Sequence, residues 1–125
     1  MNVKELIEII DGNLLNGPFQ LAREVKGGCG ADLMSDVLAS IQPEAVLLTG
    51  LCNPQVVRTA QIADVAAVVF VRGKMPPAET IALATEEEIP LISSPFGMFE
   101  LCGRLFQHGL PSLEHSVNDD DCSCD

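Results

Sequence analysis

Residues 45–72 read AVLLTGLCNPQVVRTAQIADVAAVVFVR, one apolar run, a polar and small-residue stretch, then a second apolar run. Ala45-Val46-Leu47-Leu48-Thr49 and Ala66-Ala67-Val68-Val69-Phe70-Val71 lack alternation, as strands covered by helices on both faces do. Between them Asn53 is placed to cap a helix, and Pro54 suits its first position, where a missing N–H costs nothing. The unit is a strand, a crossover helix and a parallel strand, and the rest of the chain extends it.

Upstream, Val3, Leu6, Ile7 and Ile10 share one face at helical spacing, with Lys4, Glu5 and Glu8 opposite. Asp11-Gly12 and Asn16-Gly17 are turn signals that leave Asn13-Leu14-Leu15 as at most a brief strand. Phe19, Leu21 and Val25 give a weak edge-strand pattern that ends in the loop Gly27-Gly28-Cys29-Gly30. Leu33, Met34, Val37, Leu38 and Ile41 then form the apolar stripe of a helix over 32–41, with Asp32, Ser35 and Asp36 outward. Downstream, 78–87 reads as a helix and Pro90-Leu91-Ile92-Ser93 as a buried strand. Ser94 is placed to cap a helix begun by Pro95 and carrying Met98, Phe99, Leu101, Cys102, Leu105 and Phe106, stopped by Gly109.

This alternation implies an α/β fold: a three-layer α/β/α sandwich around a mainly parallel sheet of four to five strands. A length of 125 residues suits one domain, expected over 1–113, followed by an acidic, disordered tail over 114–125. Seven basic and eighteen acidic residues give a net charge of -11, of which the tail carries -5. That charge disfavours nucleic acid and anionic membrane surfaces. The aliphatic run 65–71 is far below the ~20 residues that span a bilayer, so a cytoplasmic protein is expected. Five cysteines, an odd number, fit reduced thiols better than a disulfide framework. Trp and Tyr are absent, leaving five Phe for the core.

In a parallel sheet the loops leaving strand carboxyl ends share one edge, which ligands favour. That edge is expected to collect Gly27, Gly28, Cys29 and Gly30, Cys52 and Asn53, Arg72 and Gly73, and Ser93 and Ser94. The glycine loop before a helix has the makings of an anion cradle, with Lys26, Arg72 and Lys74 adding charge. A structural turn needing positive φ explains the same glycines, since neither a P-loop nor a dinucleotide fingerprint is present. Cys29 and Cys52, each near a helix N-terminus, are candidate thiolates against a reading as inert half-buried residues, and Cys102 is expected in the core. His108 and His115 lie away from the edge, so a Cys-His pair has no support. Cys122 and Cys124 in the tail are candidate soft-metal ligands, although two ligands do not close a metal site.

Several of these segments, in their order and spacing, carry a family likeness. They are Glu24-Val25-Lys26-Gly27-Gly28 leading into Asp32-Leu33-Met34-Ser35-Asp36-Val37, the strand closing on Thr49-Gly50, the stretch Val68 to Gly73, and Ile89 to Pro95. On them the chain resembles the DRTGG domain family, over roughly residues 1–110. The resemblance implies a fold similar to the N-terminal domain of HPr kinase, and a regulatory or assembly role with no known catalysis and no cofactor. It also implies pairing with a second copy. Short stand-alone members look like those encoded beside iron hydrogenases and redox subunits, which implies a redox or metabolic enzyme partner. The family is named for an Asp-Arg pair after one strand and Thr-Gly-Gly after the next. Here those places read Gly50-Leu51-Cys52-Asn53-Pro54 and Val71-Arg72-Gly73.

The expectation is therefore a non-catalytic, homodimeric regulatory or scaffolding domain. A sensor binding a nucleotide or other phosphate at the carboxyl edge is the first alternative. A redox or metal-handling accessory using loop and tail cysteines is the second.

Overall fold

A computed structural model describes residues 1–114. The tail beyond, with the expected disorder and the Cys122 and Cys124 candidates, lies outside the described residues. The elements in chain order are α1 (Val3–Ile9), β1 (Asn13–Leu14), β2 (Gly27–Gly30), α2 (Met34–Ser40), β3 (Ala45–Thr49), α3 (Pro54–Ala63), β4 (Ala67–Phe70), α4 (Ala78–Glu86), β5 (Leu91–Ser93) and α5 (Met98–Gln107).

The five strands form one sheet in the order β1-β5-β4-β3-β2, parallel except for β1, which runs antiparallel to β5. Side chains alternate across it, as the two-residue period of a strand requires. Val46, Leu48, Ala67, Val69 and Ile92 pack with Val3 and Leu6 of α1, Ile10 just past its end, and Leu101 and Leu105 of α5. Leu47, Val68, Phe70 and Leu91 face the other way, against Val37 of α2, Val56, Val57 and Ala60 of α3, and Ala84 of α4. The expected α/β/α layering is thus present. Every residue of β3 and β4 is buried, which explains why neither alternates in polarity.

Four local expectations are corrected. Residues 19–25 form no strand of the sheet. Gln20 takes φ 62°, and the segment's carbonyls and amides are taken by the start of α1, with Val3 N–H donating to Arg23, Lys4 N–H to Leu21, and Val25 N–H to Met1. The glycine loop is instead strand β2, in register with β3 from Gly27 opposite Ala45 to Gly30 opposite Leu48. Glycine serves close approach there: the chain returns after α5, Gly28 N–H donates to the Pro111 carbonyl, and Leu113 N–H donates to that of Gly28. This strap, Leu110 to Glu114, covers the outer edge of β2 and removes an open strand edge.

The third correction concerns α5, which starts at Met98 with Gly97 as its N-cap, not at Pro95. Ser94 is fully buried and spends its hydroxyl elsewhere, donating to the Ile10 carbonyl at 2.8 Å and accepting from Phe96 N–H. It ties the end of β5 to the end of α1. The fourth concerns the phenylalanines. Only Phe70 is buried; Phe19 and Phe96 are half-buried, and Phe99 and Phe106 are exposed. Gly109 does take positive φ, 91°, just past the end of α5, as a helix stop requires. No helix of the described residues is long and apolar enough to cross a membrane.

Candidate functional site

The carboxyl edge of the sheet gathers part of what the sequence placed there. Cys52 and Asn53 follow β3, Arg72 and Gly73 follow β4, and Ser93 and Ser94 close and follow β5. Arg72 and Gly73 both take left-handed backbone, φ 59° and 67°. This turn is fixed by Arg72 N–H donating to Phe96 and Gly73 N–H donating to Ser94. The Arg72 side chain is exposed and runs past Gly97, whose Cβ position is 3.8 Å from its Cγ. Ser93 is spent structurally, its hydroxyl donating to the Lys74 carbonyl at 3.1 Å.

Helical periodicity puts Asp32 on the outward side of a helix, but it lies at this edge, because β2 ends at Gly30 and α2 begins only at Met34. Its Oδ1 accepts from Gly50 N–H at 2.7 Å and from the Thr49 hydroxyl at 3.0 Å. Lys74 Nζ donates to the Gly50 carbonyl at 3.2 Å, and a Cβ at Gly50 would lie 3.3 Å from that ammonium and 3.6 Å from both Asp32 oxygens. A carboxylate of the chain therefore holds the donors that an anionic ligand would use at the end of β3. The signal that would have found it is the glycine run read as a strand: Asp32 then follows a strand end directly.

Two further features shape the edge. Asn53 makes no side-chain cap bond, so the first amides of α3 have no capping side chain. Against this, β2, β3, β4 and β5 are successive neighbours, with α2, α3 and α4 all on one face. Ligand crevices in such sheets form where strand order reverses, and no such point exists among these four strands.

Gly27, Gly28, Cys29 and Gly30 are not gathered at that edge, save for Gly30 at the end of β2. Gly28, Cys29 and Gly30 instead line a separate hollow with Leu48, Leu105 and Leu110, at whose rim lie Cys102, Phe106 and Glu114. Cys102 is exposed, contrary to its expected place in the core. Nothing in the local pattern announced this hollow, because it exists only through the strap's return to β2.

Among the described residues, Cys29, Cys52 and Cys102 are not poised as thiolates. Burial, and then the Glu114 carboxylate whose Oε2 accepts from the thiol at 3.6 Å, pushes Cys29 up to about 12. Burial also raises Cys102, with Glu114 adding to it, and raises Cys52, with Lys74 opposing. These directions override the helix N-termini invoked from sequence. Cys29 stays protonated in the fold and ionises more readily unfolded, so its contribution is intact below pH ~9 and lost as pH rises toward 12. In a variant keeping only Cys29, alkylation by iodoacetamide at pH 8 is expected to be about 100-fold slower than for a free thiol. Ordinary reactivity in the native protein would contradict the buried placement. Among the described residues no group of three His, Cys, Asp or Glu is arranged to hold a metal ion.

The DRTGG domain family model matches residues 5–107. Nine chains of solved structures match. One holds the CBS and DRTGG domains of the regulatory region of Clostridium perfringens pyrophosphatase, complexed with its activator diadenosine tetraphosphate. The TM-score is 0.65 at 16% identity, over 94% of this chain and 51% of that one. The likeness is one of fold, and this chain spans about half the length of that structure. No curated protein matches the sequence.

Proposed function

Since the chain belongs to the DRTGG domain family, we propose that it is a non-catalytic regulatory module that acts by association, pairing two copies through the outer face of α5. In this reading it is cytoplasmic and serves a metabolic or redox enzyme system. The observation that carries the reading is that face. Phe99 is 92% exposed and Phe106 71% exposed, seven residues apart, with Cys102 and Gly103 between them on the same side. That spacing is a helical stripe, and phenyl groups left in water are enriched where surfaces associate. A two-fold axis lets one stripe serve both copies. The small Gly103 allows close approach between them.

Replacing Phe99 and Phe106 together by aspartate is expected to weaken self-association by at least about 100-fold, because central aromatic residues dominate such interfaces. Both positions are exposed, so the fold is expected to survive, with thermal unfolding of the monomer changed little. Undiminished association of the double variant would remove this face from the account.

A second reading, a phosphate sensor at the carboxyl edge, is favoured by Lys74, Arg72 and the uncapped end of α3. The nucleotide bound to the clostridial regulatory region supports it by analogy of fold. Asp32 opposes it by occupying the Gly50 donor. The expected signature is a saturable rise in melting temperature with adenine or guanine nucleotides, lost in Arg72→Ala. Asp32→Asn is expected to tighten binding about tenfold by removing the competing carboxylate. A flat response to the nucleotide panel in both wild type and Asp32→Asn would dismiss the edge as a ligand site. The redox alternative has little support in Cys29, Cys52 and Cys102, whose thiols are all held protonated.

A further inference from the structure

We propose that the hollow between β2, the end of α5 and the strap binds a small molecule made of a compact apolar body and an amine, a site that lies apart from the carboxyl edge and adjoins the α5 pairing face through Cys102 and Phe106. The hollow measures about 160 Å³. A void of that order holds a six-membered ring. Its walls are Leu48, Leu105, Leu110 and the backbone of Gly28 and Gly30, so its interior offers an apolar body what water does not.

The glycines make the space. A Cβ on Gly28 would meet Leu110 and Val46 at 3.6 Å, ordinary contact, so there is free space above this glycine that a side chain would occupy. A Cβ on Gly30 would point at the Met98 sulfur, 2.9 Å away, and at Cys102, so this strand accepts no side chain on that face without narrowing the hollow. Binding pockets of this kind combine apolar walls with a few placed polar groups that fix orientation. Here the placed group is Glu114, the one charged residue among the described residues that line the hollow, and the Cys29 thiol already donates to it. Cys29 is 2% exposed and supplies neither charge nor nucleophile, so the hollow is suited to binding and not to chemistry. An apolar body seated on the glycines therefore directs its polar end to a carboxylate, which selects an amine over a neutral group and rejects an anion.

The test is an amide-resolved NMR titration of the full chain with benzylamine, benzyl alcohol and benzoate, three ligands of one shape and three charges. Benzylamine is expected to shift the Gly28, Gly30 and Cys102 amides saturably, with a midpoint of about 1 mM for a ligand of this size. Benzyl alcohol is expected to bind about fivefold more weakly, and benzoate not at all. Glu114→Gln is expected to erase the advantage of the amine while leaving the alcohol unchanged. Cys102→Phe, at an exposed rim position that folding does not need, is expected to abolish both. No saturation by any of the three up to about 10 mM, or equal binding of benzoate and benzylamine, overturns the proposal. The titration is repeated in Phe99→Asp, which weakens pairing at a residue outside the hollow's lining; loss of benzylamine binding in that variant also overturns the proposal.

Discussion

Phe70→Ala is expected to lower the free energy of unfolding by about 3–5 kcal/mol. Phe70 is the one fully buried phenylalanine, at the end of β4, paired across the sheet with Thr49 and Ser93. It packs among the residues of α3, α4 and β5 that form the larger-helix side of the core. Neither Trp nor Tyr is present in the chain to supply comparable bulk, and the other four phenylalanines sit nearer the surface. Strands on both sides hold the backbone in register, so the cavity left by truncation collapses little and the cavity cost adds to the lost transfer energy. A domain of this size has about 5–15 kcal/mol in hand, so the variant sits near the threshold of folding. Urea titration checks this: the midpoint falls while the slope stays constant, and a loss below about 1 kcal/mol would show that Phe70 is not the anchor described.

Gly27→Ala is expected to cost about 3 kcal/mol, a large effect for one methyl group. The added Cβ would stand 2.5 Å from the Leu113 Cβ and 2.8 Å from the Pro111 carbonyl oxygen. Neither obstacle is the end of a flexible side chain, so the strap has to move off β2. That movement breaks the Gly28 to Pro111 and Leu113 to Gly28 bonds and pulls on the Leu113 carbonyl, which accepts from Gln42 N–H. Gly28→Ala is the matched control, with ordinary 3.6 Å contacts and a small expected change. Hydrogen exchange at the Leu113 amide separates the two: fast in Gly27→Ala, slow in Gly28→Ala. Equal protection in both would mean that the strap does not depend on glycine at 27.

The contrast between these two residues shows what the sequence carried. Phe70 belongs to a continuous apolar run between turn signals, and such runs announce buried parallel strands, which is why β3, β4, β5 and their helices were legible. Strand β2 was not, because Gly-Gly-Cys-Gly has neither β-propensity nor periodicity. It is a strand through its hydrogen bonds to β3 and to the strap, a tertiary cause with no local trace. Asp32 is misplaced with it, and the hollow beside Cys29 has no trace in the local pattern. The α5 face was hidden differently: its apolar residues read as one wide stripe, but Leu101 and Leu105 face the sheet while Phe99 and Phe106 face solvent. Periodicity counts apolar residues without saying which of two partners each one meets.

Pairing through α5 is measured by sedimentation equilibrium of the wild-type chain from about 1 to about 100 µM. The account predicts a reversible dimer with twice the mass of the chain, dissociating toward monomer when Phe99 and Phe106 are both aspartate. A single monomeric species across the whole range would contradict it.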